Sequence, residues 1–349
     1  MDPYVALFTT KIPHHSSHSG YEQLMNYVAS NEVHARTRTN TQELVKLTTE
    51  RLARRFAASR WYQWDGIQTE FKTLQLVKRQ GNNLIAHFLY GDTAIGLLPY
   101  INPWLPGKIV LSIHACPADL PEVLQYPRLL KRVDHFILLG SNQKSFFMEH
   151  GVPENNLTVI PHGVDTSYFK PVENTEKLTE NFDVLIVGNW RRNFELYQSV
   201  IADADEADKL HFHVVTADFN HHYFGESSQL TIHPKLSDLE LLRMYQRADA
   251  MLLSVQDAVA NNVLLESMSC GLPIVTEKNG ALPEYLGEQY PLYFETGNAK
   301  DAYMKLRDLK SSDFDVREEI KNYLVDRAQT TYNWQKIAGK MHTFYNSLH

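Results

Sequence analysis

The stretch from Ala248 to Gly287 holds the residues with the most chemistry in them. An apolar run, Ala250–Ser254, is followed by an irregular segment, Val255–Asn261. Then comes Asn262-Val263-Leu264-Leu265-Glu266-Ser267-Met268-Ser269-Cys270, a helical stretch stopped by Gly271-Leu272-Pro273. A strand, a loop and a helix start leave backbone N–H groups open. Those of Asn262, Val263 and Leu264 are expected to attract a phosphate or diphosphate. Glu266 is read into the first turn, where the helix dipole favours a carboxylate. There it could accept two hydrogen bonds from vicinal hydroxyls, as a ribose presents them; a plain dipole-matched cap is the alternative. Arg191 and Arg192 follow the apolar run Val184–Val187 on a short loop. Their guanidinium forks suit phosphate oxygens, although two solvated loop arginines would read the same way.

Metal chemistry has little support. His14 and His18 are four apart, but Pro13, the serines and Gly20 make that stretch a loop, and no cysteine or carboxylate joins them. Asp203-Ala204-Asp205 lies in an acidic helical stretch and reads as a solvated face. There is no G-x-G-x-x-G, no G-x-x-x-x-G-K-[ST], no H-E-x-x-H and no G-x-S-x-G. The expectation is a site without a metal or a bound cofactor.

The elements that must position these residues alternate. Tyr4–Phe8, Leu84–Leu89, Ile109–His114 and His135–Leu139 are strand-length apolar runs, with Tyr21–Val28 read as a helix. After Pro171 the rhythm restarts with Val184–Val187, Leu210–Val215, Ala250–Ser254 and Ile274–Thr276, and Asp238–Arg247 is helical. That predicts an α/β chain with two doubly wound parallel sheets. Lys170–Asn181 is polar and reads as a linker, and Asp315–Leu348 reads as helical, with Trp334, Ile337, Met341, Phe344 and Tyr345 on one face. The expected division is 1–170, 171–325 and a terminal helix, 326–349, with an apolar face able to dock. With 349 residues and 43% hydrophobic content the chain is ordinary globular material for about two domains. Its net charge of −7 argues against coating a nucleic acid. Two cysteines, Cys116 and Cys270, form no disulfide framework, no apolar run approaches a membrane span, and Met1–Phe8 lacks the features of a secretion signal. These traits fit a soluble, cytoplasmic protein.

The segment 248–287 resembles the nucleotide-sugar site of retaining GT-B glycosyltransferases of family 4, with its pattern E-x-F-G-x-x-x-L-E-A-M-A-x-G-x-P-V-V and a following G-G-x-x-E turn. Leu265–Val275 follows the first pattern and Asn279-Gly280-Ala281-Leu282-Pro283-Glu284 the second. Val159-Ile160-Pro161-His162-Gly163-Val164-Asp165 is similar to the family's V-I-P-N-G-V-D, Ser141 to its usual serine, and Ser112-Ile113-His114 to its T-x-H strand end. Asn333–Ala338 resembles its C-terminal helix, which implies that the terminal helix, 326–349, crosses back to the first domain. The resemblance covers nearly the whole chain and is weakest over 30–80. It implies two Rossmann-like domains facing each other across a cleft, a nucleotide-diphosphate sugar as co-substrate, and a glycan or lipid-linked acceptor bound by the first domain. It implies that Glu266 anchors the ribose, that Arg191 and Arg192 steady the diphosphate, and that His114 faces the transferred sugar.

Three departures stand out. The family's first glutamate falls on Ala258, with Asp257 the nearest carboxylate, and its aromatic-glycine pair falls on Ala260-Asn261. The expectation is that Asp257 takes over, with Asn261 and Asn262 offering amides to the sugar. The family's Arg and Lys positions are Asn189 and Phe194, which leaves the phosphates to Arg191 and Arg192. Of its Gly-Gly pair only Gly20 remains, where a backbone would approach the donor. Glu43–Ser59 is read as a helix with Val45, Leu52 and Phe56 on one stripe beside Arg51, Arg54 and Arg55. Such a helix packs on a core or, less commonly, makes peripheral contact with an anionic membrane. A nucleotide-sugar-binding protein without transfer, and a GT-B-like epimerase or phosphorylase, are the alternatives in function.

Overall fold

A computed structural model describes residues 2–11, 17–37, 44–173 and 176–348. His14 and Glu43 lie outside the described residues. The chain divides into two compact units, Met1–Gly163 with Trp334–His349, and Val164–Asn333.

The first unit is built on a parallel sheet of β1 (Tyr4–Lys11), β2 (Glu32–Thr37), β3 (Leu84–Phe88), β4 (Lys108–Ile113), β5 (His135–Leu138) and β6 (Leu157–Val159), in the order β2-β1-β3-β4-β5-β6. The second holds β7 (Phe182–Val187), β8 (Leu210–Val215), β9 (Leu230–His233), β10 (Ala250–Leu253), β11 (Ile274–Glu277) and β12 (Tyr293–Phe294), ordered β12-β11-β10-β7-β8-β9, again all parallel. Every residue of β7, β10 and β11 is buried, as strands covered on both faces require. The apolar runs read from sequence are thus strands. The doubly wound reading holds, with four further strands: β2 and β9, concealed by their mixed composition, and the short β6 and β12.

The expected helix over Tyr21–Val28 is a 3-10 turn, Tyr21–Asn26, opened by Gly20 at φ +92. The last expected helix is broken. Phe314–Arg327 is followed by a π turn, Ala328–Tyr332, and then by Trp334–Ser347. The polar stretch expected to be a linker is tied to the second unit. Gln246 donates to the Lys170 carbonyl at 2.9 Å, and Arg247 to the Glu176 and Lys177 carbonyls at 2.6 and 2.8 Å. The chain enters and leaves that unit at one place: the Val164 N–H donates to the Tyr332 carbonyl at 2.8 Å, and Val164 pairs with Asn333 in a parallel bridge. The units therefore meet at 163/164 and 333/334, not at 170/171 and 325/326.

Trp334 fixes the terminal helix in the first unit. It is 1% exposed, and a Cβ on Gly163 would come within 2.5 Å of its ring. Tyr21 and His162 pack against the same indole, with centroids at 5.9 and 5.1 Å. Further along, the Tyr345 hydroxyl meets Nδ1 of His87 at 2.6 Å, and His87 Nε2 meets Ser112 Oγ at 2.8 Å. Burial holds His87 down to about 3, so it is a neutral imidazole in this network.

One buried carboxyl gives the first unit a measurable pH dependence. Glu70, on the helix Trp64–Gln80, accepts from the N–H groups of Gly96, Leu97 and Leu98 at 3.0, 2.8 and 2.9 Å, and from the Tyr62 hydroxyl at 2.7 Å. Burial outweighs these donors and pushes the Glu70 carboxyl from its ordinary 4.5 up to about 6. The folded value is the higher one, so the protonated form is favoured by folding. That stabilisation is complete below the unfolded value and is lost as pH rises through about 6, a change of about 2 kcal/mol. Denaturation of the wild type and of Glu70→Gln across this window should show their difference shrinking by that amount; a constant difference would contradict the assignment.

Candidate functional site

The sequence-predicted residues of the second unit converge on the carboxyl edge of its sheet, on the loops that follow the neighbouring strands β7, β10 and β11. After β7 the chain turns through Gly188 at φ +122 and Arg191 at φ +55. Gly188 is needed here, because a Cβ would lie 2.4 Å from Nη2 and 2.6 Å from Nε of Arg192. That space lets Arg192 fold back over its own loop, its Nε donating to the Val187 carbonyl at 2.9 Å and its Nη1 to that of Trp190 at 3.2 Å. Asn193 then caps the helix Phe194–Ala202 by accepting from the Leu196 N–H at 3.2 Å.

Arg192 is half-buried, and no carboxylate among the described residues lies within 4 Å of it. Its Nη2 donates to no described residue. Burial pulls the guanidinium below its usual value. A desolvated cation bound only to carbonyl dipoles is costly unless an anion joins it. Arg191 is exposed, and its carbonyl accepts from the Gln256 N–H at 2.9 Å.

The loop after β10 is woven into that after β7. Val255 forms an antiparallel bridge with Arg192, and the Asn193 N–H donates to the Ser254 carbonyl at 3.2 Å. Ser254 is held by Tyr197, whose hydroxyl donates to its carbonyl at 2.9 Å and accepts from its N–H at 2.8 Å. Glu277, 2% exposed at the end of β11, accepts from Ser254 Oγ at 2.7 Å, the Val255 N–H at 3.0 Å and, across the edge, the Gly297 N–H at 3.2 Å. Sequence reasoning ended that strand at Thr276 and missed both Tyr197 and Glu277. A glutamate closing an apolar run carries no pattern of its own.

The helix Asn262–Cys270 begins where it was expected. Its cap is Asn261, whose side-chain oxygen accepts from the Leu264 N–H at 3.3 Å. That corrects two expectations. The Leu264 N–H is already taken, and the Asn261 oxygen is a cap and not a contact for a sugar. The N–H groups of Asn262 and Val263 donate to no described residue and stay open at the edge. Glu266 is also corrected: it is the fifth helical residue, past the first turn, so the dipole is not what places it. It is 5% exposed, and its Oε2 accepts from the Tyr245 hydroxyl at 2.9 Å. Burial and the Glu266 carboxylate hold the Tyr245 phenol well above its ordinary range, so it stays a donor.

Ala258, where the resemblance would put a sugar-reading glutamate, is buried. Its carbonyl accepts from the Ala281 N–H at 2.9 Å, and its own N–H donates to Oδ1 of Asp257 at 2.8 Å. Asn279 locks the same loop by donating to the Val255 and Gln256 carbonyls at 2.7 and 3.1 Å. Asp257 is half-exposed at the loop surface.

Two sequence-predicted residues belong to the first unit. Gly20 opens the Tyr21 turn. His114 follows β4, and its Nε2 donates to the Leu89 carbonyl at 2.7 Å while its N–H donates to Asp92 at 3.0 Å. Its ring stacks on Tyr90 at 4.6 Å and meets Tyr21 edge-on at 4.8 Å. These contacts fix the imidazole and its tautomer. Asp203 and Asp205 are exposed at a helix end, Asp205 capping the next turn through the Ala207 N–H at 2.8 Å.

Comparison with known proteins agrees with this layout. Residues 169–327 match the family described as Glycosyl transferases group 1. Spore coat protein SA of Bacillus subtilis is 28% identical over 109 residues, which is 30% of this chain and 29% of that protein. The match thus spans under a third of that relative's length. The fold is that of the sucrose-phosphate synthase of Thermosynechococcus elongatus (TM-score 0.71, 14% identity, 98% of each chain covered). It is also that of the Anabaena protein HepE in complex with UDP (TM-score 0.68, 13% identity, 99% of this chain and 100% of that one). Residues 169–327 are thus similar to the glycosyl transferases group 1 family, in a chain with the two-domain, Rossmann-like GT-B fold.

Proposed function

We propose that the protein transfers a sugar from a nucleotide-diphosphate sugar to an acceptor hydroxyl, with retention of anomeric configuration and without a metal or further cofactor. The observation that carries this reading is Arg192, a half-buried guanidinium with no carboxylate partner among the described residues. On the next strand of the same sheet edge, the open N–H groups of Asn262 and Val263 add a second positive field. Together they suit a diphosphate, and HepE, of the same fold, is known in complex with UDP-glucose. Arg192 and the helix start stabilise the charge that grows as the bond from sugar C1 to the phosphate oxygen breaks. The acceptor oxygen bonds to C1 on the face just vacated, and its proton passes to the departing phosphate oxygen. Arg191, exposed beside Arg192, adds a second positive charge. Glu266 holds the ribose, and Asp257 offers the loop's carboxylate to the sugar. The acceptor, a glycan or a lipid-linked saccharide, is assigned to the first unit. The setting is the cytoplasm, in glycan, polysaccharide or glycolipid synthesis; among the described residues no helix is long and apolar enough to cross a membrane.

The buried Ala258 favours one second reading, a protein that binds a nucleotide sugar without transferring it. A panel of UDP-, GDP- and ADP-linked sugars, followed by calorimetry and by mass spectrometry of products, separates the two. One donor class should bind, and transfer or slow donor hydrolysis should survive EDTA. Binding with neither reaction would establish the second reading. Activity lost in EDTA and restored by Mn²⁺ would overturn the metal-free mechanism.

A further inference from the structure

The first unit leaves a concentrated set of large apolar side chains in water. Leu52 and Phe56, one turn apart on the helix Leu44–Phe56, are 63% and 53% exposed, and Trp104 is 73% exposed. Trp61, Tyr100 and Ile101 are exposed as well. Hydrogen bonds and ring contacts make this one surface. Tyr100 donates to the Phe56 carbonyl at 3.0 Å and Tyr126 to that of Arg55 at 2.7 Å. Arg132 donates to the Tyr100 carbonyl at 3.2 Å and lies 5.6 Å from the Trp104 ring centroid. The stripe Leu52–Phe56, for which core packing was the commoner expectation, is therefore turned outward.

Charge marks the same surface. The segments 51–61, 97–104 and 121–132 hold seven arginines and lysines and one carboxylate, Glu122, in a chain whose net charge is −7. Arg51, Arg55, Arg60, Arg128 and Lys131 form no ion pair with any described residue. We propose that this face docks the first unit on an anionic phospholipid bilayer, the aromatic and aliphatic side chains entering the interfacial layer and the cations meeting lipid phosphates. Amphipathic rings and long basic side chains are the groups that settle at that boundary. A second copy of the chain would bring the same unpaired cations against each other, which like charges oppose. A purely ionic partner would leave Leu52 and Ile101 without a use. The proposal does not depend on the donor reading.

The test is co-sedimentation of the full chain with vesicles of phosphatidylcholine alone and of phosphatidylcholine mixed with phosphatidylglycerol. Binding is expected to the mixed vesicles only, weakening as salt is raised. Arg55→Gln with Lys131→Gln should weaken it by about fivefold for each charge removed. Phe56→Ala with Trp104→Ala should abolish sedimentation at low salt while an unchanged melting point shows an intact fold. Because these side chains are exposed, folding should survive; Arg128→Gln, from a different segment, repeats the charge test independently. Equal binding to neutral vesicles, no binding to either kind, or a self-association that the Phe56 and Trp104 substitutions abolish would each overturn the proposal.

Discussion

Glu266→Ala should lower donor binding or turnover by about 30- to 1,000-fold, which is about 2–4 kcal/mol, because two ribose hydroxyls lose their acceptor. Glu266 is buried and linked to Tyr245, so the substitution also leaves a buried phenol without its partner, at about 1–3 kcal/mol of stability. The melting point must therefore fall as well, and a fall alone says nothing about the donor. Tyr245→Phe separates the two effects. It deletes the same hydrogen bond but leaves the carboxylate in place. If Glu266 holds the nucleotide, Tyr245→Phe keeps most of the donor affinity and Glu266→Ala does not. Equal losses in the two variants would make Glu266 a partner of Tyr245 and nothing more.

Gly280→Ala should be severely damaging to the second unit. Gly280 adopts φ +54, and a Cβ there would stand 2.3 Å from the Ala258 carbonyl oxygen, 2.6 Å from its nitrogen and 2.9 Å from Oδ1 of Asp257. The first two are backbone atoms, fixed by the Ala281–Ala258 hydrogen bond, and cannot step aside as a side chain would. Backbone strain contributes about 1–3 kcal/mol, and the clash adds to it, so a loss of about 3 kcal/mol or more is expected in chemical denaturation. Gly297→Ala is the control. Gly297 has a similar φ of +75 and nothing within 4 Å of its Cβ direction, so it isolates the strain. Comparable losses at the two glycines would mean that the 255–261 loop yields easily. If instead Gly280→Ala alone is severe, that loop is rigid, and donor choice rests on a fixed surface at Asp257.

What the sequence disclosed follows from how local each signal is. Apolar runs bounded by polar residues read directly as buried parallel strands, and the start of the helix at Asn262 was visible because an asparagine precedes it. Glu266 was singled out as a first-turn carboxylate, and the structure sets it further along the helix. Its place one residue past the first turn is set by burial against Tyr245, a residue 21 positions earlier that no spacing rule connects to it. The same holds for Tyr197, which grips Ser254 from 57 positions away, and for Glu277 beneath the loop after β10. Arg192 was named for the diphosphate together with Arg191, and the sequence could not tell the two apart. What sets Arg192 apart is the room that Gly188 leaves for its side chain, a property of three-dimensional crowding. The outward stripe Leu52–Phe56 misled in the opposite direction, since amphipathic periodicity is silent about whether the apolar side finds protein.

The single crossing at Val164 and Asn333 makes the second unit an insertion in the first. On the ribosome this fixes an order of events. The whole of Val164–Asn333 is synthesised before Trp334 and Tyr345, yet those two side chains fill the space against Gly163, Tyr21 and His87. The second unit can fold as soon as its own sequence is out. The first unit waits, with an indole-sized hole beside Gly163, for the helix Trp334–Ser347. Completion of that unit depends on the helix Trp334–Ser347, so a chain stopped just before Trp334 would carry all of the second unit's sequence attached to an unfinished first.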